Sequence, residues 1–368
     1  MKLSVIILNY NVRHFLELCI KSVEAALIDI DSEIIVIDNL SKDDSCAMVK
    51  RQFPKIKLIE NPENYGFSKG NNIAVKQAQG EYVCILNPDT VVAEDTFTAV
   101  LKFSEEKKNI GIVGCRLIDG QGQFLPESKR KIPTPNVAIK KMLGLTSSYY
   151  VNELKETAIG PVTVFVGAFM WLRKSIYDEV NGFDEDYFMY GEDIDLSYKV
   201  SQAGYDNMYF GDTSVVHYKG ESTLKDKIYA KRFYGAMQIF YNKHFKSNVV
   251  FDALVWLGIT LAPVFQKGED HKIETKKRYV LLSSEMNTHL EQALKQPLIL
   301  QSRLEDYNND IEYILDNNHL SFRSIIAIIS NTPKNCSATF KILPKNSNFI
   351  IGSNSSKHRG AIMSFDNN

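Results

Sequence analysis

The sequence predicts an α/β fold in which a mixed, mainly parallel sheet is covered by helices and followed by a second, smaller α/β unit. Three observations predict it. Over the first 120 residues, apolar runs of strand length alternate with segments of helical period. Those runs are apolar throughout rather than alternately polar, the pattern of strands buried on both faces. After a charged stretch, Lys267 to Arg278, the alternation begins again.

Taken in order, LSVIIL (3–8) is a first strand, followed by a helical pattern from Val12 to Leu27. EIIVID (33–38) is the second strand, with a helix through Met48–Phe53; IKLIE (56–60) is the third, with a helix from Lys69 to Ala78. YVCIL (82–86) is the fourth, Glu94–Glu105 a helix and GIVGCRL (111–117) a further strand. The strand ends Asn9-Tyr10, Asp38-Asn39, Asn61 and Asn87-Pro88-Asp89 then share one edge, where open α/β sheets place their ligands. Beyond residue 120 the rhythm changes. Gly120-Gln121-Gly122 predicts a hairpin, Val162–Leu172 a long strand, Ile194–Ala203 a helix, Met208–Phe210 and Ser214–His217 two short strands, and Tyr229–His244 a helix. In the tail, YVLLS (279–283) reads as a strand, Met286–Leu294 and Ile311–Asn317 as helices, and SIIAIIS (324–330) as a strand. The expected organisation is 1–245, a linker with an apolar helix at 246–277, and a small unit at 278–368.

The composition, 44% hydrophobic and 24% charged over 368 residues, is that of a folded globular protein. A formal net charge of −1 offers no global attraction for nucleic acid, so none is expected as a partner. Cys19, Cys46, Cys84, Cys115 and Cys336 lie far apart with no CxxC pair, which argues against a zinc knuckle or a disulfide framework and fits a reducing cytosol. MKLSVIILNYN carries too short an apolar run for a signal peptide, so a cytoplasmic protein is expected.

The chemistry gathers at the strand ends. Strand one closes in Leu8-Asn9-Tyr10-Asn11 without the G-x-G-x-x-G turn that admits a dinucleotide pyrophosphate, which argues against a Rossmann hydride-transfer enzyme. Tyr10 either stacks on a nucleotide base or packs as an edge core residue, and Asp38 either accepts from a base N–H or caps a helix. In ENPENYGFSKGNN (60–72), Gly66 and Gly70 flank a loop entering a helix, where exposed N–H groups and Lys69 favour an anion; a plain loop-to-helix junction is the alternative. Asp89 follows a proline that stiffens the turn, so its carboxylate is presented outward and suits a hard divalent cation on phosphates. In GEDIDLSYKV (191–200), Glu192 and Asp195 share a helical face while Asp193 projects roughly 100° away. These acids either complement the helix dipole or include a general base for a hydroxyl. His217 is either structural or a ligand for an Mn²⁺-like ion.

SVIILNYN, IVIDNLSKDDS, NYGFSKGNN, LNPDT, GFDEDYFMYGEDIDLSYKV and VVHYKGES occur in the order of family 2 glycosyltransferases of the A-type fold, and residues 1–245 resemble the bacterial rhamnosyltransferase-like branch. The resemblance implies that Tyr10 and Asp38 hold the nucleotide base and that Gly66, Lys69 and Asn71 lie in the loop enclosing it. It implies that Asp89 is the last Asp of an Asp-x-Asp metal motif whose first Asp is here Asn87, leaving the metal to Asp89 and a further ligand, His217. Asp193 matches the catalytic base beside Glu192, and Gly167-Ala168-Phe169 matches a segment lining the donor-sugar and acceptor pocket. The implied reaction is inverting transfer from a nucleoside-diphosphate sugar on Mg²⁺ or Mn²⁺ to a glycan acceptor, lipid-linked in part of the family, in cell-surface polysaccharide assembly.

Two other classes stay in view. A sugar-phosphate nucleotidyltransferase needs a glycine-rich basic loop after strand one, and LNYNVRHF has none. A non-catalytic nucleotide-sugar-binding protein predicts lost carboxylates, whereas Asp89 and Asp193 are present. Residues 278–352 resemble the small Rossmann-like half of bacterial polyprenyl-phosphate sugar-phosphate transferases, but Ser283-Ser284-Glu285 stands where a phosphate-binding glycine motif belongs. A binding or assembly unit without catalysis is expected there. The run VVFDALVWLGITLAPVF (249–265) is shorter than the roughly 20 residues a spanning helix needs and is flanked by Lys243, Lys246, Lys267 and Lys272. It reads either as a helix on the inner face of the membrane or as one packed within the protein.

Overall fold

The computed structural model describes residues 1–134, 137, 148–219, 227–245, 278–354 and 359–365. The apolar run 249–265 and the linker after it lie outside them. Among the described residues, no helix is long and apolar enough to cross a membrane.

The first half runs β1 (Leu3–Asn9), α1 (Arg13–Ala26), β2 (Ser32–Asp38), α2 (Ser45–Gln52), β3 (Lys57–Glu60), α3 (Gly66–Val75), β4 (Tyr82–Leu86), β5 (Thr90–Val91), α4 (Thr96–Glu105) and β6 (Ile110–Ile118). It continues with β7 (Ile159–Pro161), β8 (Phe169–Arg173), α5 (Lys174–Glu179), α6 (Glu192–Gln202), β9 (Asp206–His217) and α7 (Lys227–His244). The sheet order is β3-β2-β1-β4-β8-β6-β9-β5, with β7 on β9. The first four of these strands are parallel, and the sheet turns mixed at β8, which pairs antiparallel with β4 and β6.

Strand alternation divides the buried residues between two layers. Val5 and Ile7 of β1, Ile34 and Val36 of β2, and Cys84 and Leu86 of β4 pack with Leu16 and Ile20 of α1 and Phe97 of α4. Ile6, Ile35, Ile37, Val83 and Ile85 face the opposite layer with Ala74 and Val75 of α3 and Leu196 and Val200 of α6. A sheet buried on both sides is thus the reason the strands read as unbroken apolar runs.

The second half forms its own six-stranded sheet, in the order β11 (Leu298–Gln301), β10 (Arg278–Leu282), β12 (Ile311–Asp316), β13 (Thr339–Leu343), β14 (Phe349–Gly352) and β15 (Ala361–Ser364). Its helices are α8 (Thr288–Leu294) and α9 (Phe322–Ser330). One face of this sheet merges with the first half in a single core that joins Phe15 and Leu18 of α1, Val91 of β5 and Val216 of β9 to Tyr313, Ile325, Ile329 and Phe340.

Four expectations are corrected. Residues 311–317, expected as a helix, are the central strand β12, whose side chains alternate between the shared core (Tyr313, Leu315) and the outer one (Ile314). Residues 324–330, expected as a strand, lie in α9; Phe322, Ile325, Ile326 and Ile329 repeat at the helical interval, and Ser321 Oγ caps the Ser324 N–H at 3.1 Å. The long strand at 162–172 is strand only from Phe169, because Val164 exchanges its backbone bonds with Arg130 instead. The two short strands near 208–217 are one strand, β9, whose pairing with β6 shifts register between Cys115 and Arg116, with Gly211, Asp212 and Thr213 bulged there.

Candidate functional site

A cavity of about 480 Å³ opens at the carboxyl ends of β1 and β4, and its far wall is the first turn of α6. Tyr10, Gly66, Asn87, Glu192 and Asp193 line it. Asp89 and His217 stand next to Asn87, each 5% exposed. Asp38, Lys69 and Asn71 do not line it. A roomier cleft, about 690 Å³, lies between α1 and the loops after β12 and β13, but none of the predicted residues is on it.

Side chains from neighbouring strand ends fix each wall. The Asn9 amide donates to Asp38 Oδ1 at 2.7 Å, and Asn11 Oδ1 accepts from the Lys42 N–H at 2.7 Å, so Tyr10 is held at the tip of β1 by residues on both sides of it. Asp38 Oδ2 accepts from the Ser41 N–H at 2.8 Å, and α2 takes its first-turn bond from Asp43 instead. Asp38 therefore closes a turn and caps no helix. Gly66 has φ +76°, and a Cβ there would stand 2.2 Å from the Phe188 carbonyl oxygen. The Phe67 N–H donates to that same oxygen at 2.7 Å, which joins the entry of α3 to the loop before α6. Lys69 is exposed over the Tyr65 ring, and Asn71 is buried with its Nδ2 on the Phe67 carbonyl.

The β4 tip is tied down on three sides. Asn87 N–H donates to Ala168 O at 3.1 Å, Thr90 Oγ1 to Asn87 O at 2.8 Å, and Tyr218 N–H to Asp89 O at 3.0 Å. Thr90 pairs with His217 across the β5–β9 ladder, which brings the Asp89 carboxylate 3.4 Å from His217 Nε2. The Asn87 amide nitrogen is also 3.4 Å from Nε2, and His217 Nδ1 is buried with no hydrogen-bond partner.

No group of three or more His, Cys, Asp or Glu side chains gathers for a metal among the described residues. The Asp89–His217 pair nevertheless suits part of a cation's shell. Its 3.4 Å spacing exceeds an ordinary N–H···O bond. It is close to the roughly 3.0 Å between adjacent donors about 2.1 Å from an octahedral ion. Cations bound with phosphates take one or two protein carboxylates, with phosphate oxygens and water supplying the rest.

Across the cavity, Gly191 with φ +85° starts α6, and Glu192 and Asp193 fill its first turn. Asp193 Oδ2 accepts from Arg130 Nη2 at 2.7 Å and from the Gly167 N–H at 3.2 Å. Arg130 Nη2 also donates to Phe165 O, and the arginine backbone is bridged to Val164. Burial opposes the charge of this guanidinium, but the adjacent Asp193 carboxylate and Tyr149 hold its pKa above the usual arginine range. Glu192 shows the opposite balance. Burial first, then the Asp193 charge, push its carboxyl well above the ordinary range, and its Oε2 has no partner. Two adjacent carboxyls thus sit in environments that separate them, one beside a cation and one favouring its proton.

Sequence reasoning missed Arg130, Glu127 and Lys219, all on the cavity wall. Lys219 pairs with Glu127 at 2.5 Å. Burial works to raise the Glu127 carboxyl, but the charge and hydrogen bond of Lys219 outweigh it and leave the pKa lowered. Lys219 stands two places after His217 in VVHYKG, which was a usable signal; SKRK (128–131) reads as an ordinary surface run.

The N-acetylglucosaminyl-diphospho-decaprenol L-rhamnosyltransferase of Mycobacterium tuberculosis is 26% identical over 210 residues, covering 52% of this chain and 68% of that protein. Rhamnosyltransferase WbbL of Escherichia coli is 33% identical over 165 residues, covering 42% of this chain and 61% of that protein. The solved mannosyltransferase PcManGT from Pyrobaculum calidifontis, in complex with GDP-Man and Mn²⁺, aligns at 20% identity with a TM-score of 0.48, covering 72% of each chain. Residues 4–180 match the family model described as glycosyl transferase family 2.

Proposed function

We propose that the protein transfers a sugar, with inversion, from a nucleoside-diphosphate sugar to an acceptor hydroxyl in the assembly of cell-surface polysaccharide or lipid-linked glycan. The observation that carries this reading is the Asp193 carboxylate, held by Arg130 and the Gly167 N–H on the wall of the cavity that Tyr10, Gly66 and Asn87 also line. The match to the glycosyl transferase family 2 model supports the reaction class, and the likeness to the mycobacterial N-acetylglucosaminyl-diphospho-decaprenol L-rhamnosyltransferase supports a lipid-linked acceptor.

Asp193 is the general base. It takes the proton of the acceptor hydroxyl, whose oxygen bonds to the anomeric carbon from the face opposite the diphosphate. The carbon–oxygen bond to the diphosphate breaks, and the electron pair leaves with it. Arg130 keeps the carboxylate oriented and balances its charge, and Glu192 offers a protonated carboxyl to a sugar hydroxyl. Tyr10 stacks on the base, and Gly66 allows the loop before α3 to close beside it. Asp89 and His217 would hold Mg²⁺ or Mn²⁺, which when bound would stabilise charge on the leaving diphosphate. The apolar run 249–265 contacts the cytoplasmic face of the membrane, where a lipid-linked acceptor lies.

The test is diphosphonucleoside release by the full chain, measured over a panel of UDP-, GDP- and dTDP-sugars with Mn²⁺ and with glycan or lipid-linked acceptors. Turnover with at least one donor is expected, lost in Asp193→Asn while donor binding persists. Absence of donor binding across the panel would overturn the reading.

A further inference from the structure

We propose that the C-terminal unit is the rigid backing of the Asp89–His217 pair, with Glu94 as the positioning residue that clamps α9 behind it. The proposal rests on the reading of Asp89 and His217 as cation ligands.

The need for backing follows from the topology. Asp89 lies on the step between β4 and β5, and β5 is two residues long at the edge of its sheet, with β9 as its strand partner. Two ladder residues cannot by themselves hold a carboxylate in a fixed place. What stands behind them is the second half of the molecule. Val91, two residues past Asp89, and Val216, next to His217, are buried in the core that contains Ile325 and Ile329 of α9, and α9 packs on β9.

α9 is fixed at both ends by the first half. Three residues past β5, the Glu94 carboxylate accepts from the Phe322 N–H at 2.7 Å with one oxygen and from the Arg323 N–H at 2.8 Å with the other. These are first-turn donors of α9, and a carboxylate there also meets the positive end of the helix dipole. At the far end, Arg116 Nη1 donates to Ser330 Oγ at 2.8 Å and to Ser214 Oγ of β9 at 3.0 Å. The hairpin after β6 presses on the same helix so closely that a Cβ on Gly122 would stand 1.9 Å from Ile329 O. Asp89 and Glu94 are five residues apart, so an error in the seat of α9 reaches the ligand through a short, buried stretch that includes Val92 and Ala93.

The experiment is Mn²⁺ titration of the full chain, followed by the electron paramagnetic resonance signal of free Mn²⁺, with melting temperatures measured on the same samples. Asp89→Asn tests the ligand reading, and Glu94→Gln and Glu94→Ala test the clamp. Ser321→Ala removes the other cap of α9, on its exposed side, without touching the first half. Asp89→Asn should abolish binding, and Ser321→Ala should lower the melting temperature without changing the Mn²⁺ Kd. The Glu94 variants should weaken Mn²⁺ binding by roughly threefold to tenfold, at or below the loss seen when a ligand's direct hydrogen-bond partner is removed. Glu94→Gln, which keeps the shape and one acceptor, should be the milder of the two. Binding that survives Asp89→Asn would remove the site and the proposal with it. Lost binding in Asp89→Asn beside a Kd unchanged within twofold in both Glu94 variants would leave the site and overturn the clamp.

Discussion

Glu192 and Asp193 are consecutive, buried and acidic, and one guanidinium bonds to only one of them. Glu192 keeps its proton in the fold at a pH where the unfolded chain has lost it, because burial and the Asp193 charge raise its pKa well above normal. Above the ordinary glutamate value of about 4.3, the folded state therefore binds more protons than the unfolded state, and this group lowers stability as pH rises. Glutamine cannot ionise, so Glu192→Gln should gain melting temperature relative to the parent between pH 5 and 8. A gap that stays constant with pH would contradict the raised carboxyl. In catalysis the order should reverse, with Asp193→Asn losing transfer and Glu192→Gln retaining a measurable part. Arg130→Lys tests the other side of the balance. A lysine cannot reproduce the planar fork in which Nη2 donates to Asp193 and the Phe165 carbonyl while Nη1 reaches Tyr149 Oη at 3.4 Å. We expect kcat to fall roughly tenfold to a hundredfold, within the range a positioned base contributes, with donor KM little changed. A KM rise with kcat intact would instead place Arg130 on the donor.

At the scale of elements, legibility followed the period of the pattern. β1 to β4 were readable because each is a short apolar run with a polar tip, and the tips carry Tyr10, Asp38 and Asp89. β12 and α9 were read the wrong way round. IEYILD and SFRSIIAIIS are both short and apolar, and only the spacing of Phe322, Ile325, Ile326 and Ile329, with Ser321 as a cap, tells helix from strand. Arg130 was out of reach for another reason. Its partner Asp193 is distant in sequence, and the two meet through an irregular segment around Val164 that the apolar pattern presented as strand. Gly66 is the element-level test. Its left-handed φ and the 2.2 Å approach to the Phe188 carbonyl mean that a side chain must separate α3 from the loop preceding α6. Gly66→Ala should cost about 1–3 kcal/mol, the scale of a strained backbone position, and should raise donor KM, since both cavity walls move. Equal melting curves and kinetics would show that the two loops are not coupled.

The described residues build two sheets that share a core, and this bears on what a fragment can do. A chain ending at residue 245 would leave Val12, Phe15, Leu18, Val91, Ile118, Val216 and Tyr218 without the partners from the second sheet that cover them. It would also strip polar groups of their bonds: the half-buried Glu94 loses both α9 N–H groups, and Glu17, only 1% exposed, loses Ser347 Oγ at 2.8 Å. Glu17 would keep Lys21 and Arg13, so the ion pairs of α1 persist and the loss is chiefly apolar. An exposed apolar patch beyond a few hundred Å² drives association in water. Residues 1–245 expressed alone should therefore associate or melt well below the full chain, although every proposed catalytic residue is retained. Size-exclusion chromatography and thermal melting of the two forms would decide this. A monodisperse fragment that melts with the full chain would mean that the second sheet contributes nothing to the first, and the backing assigned to Asp89 and His217 would fall with it.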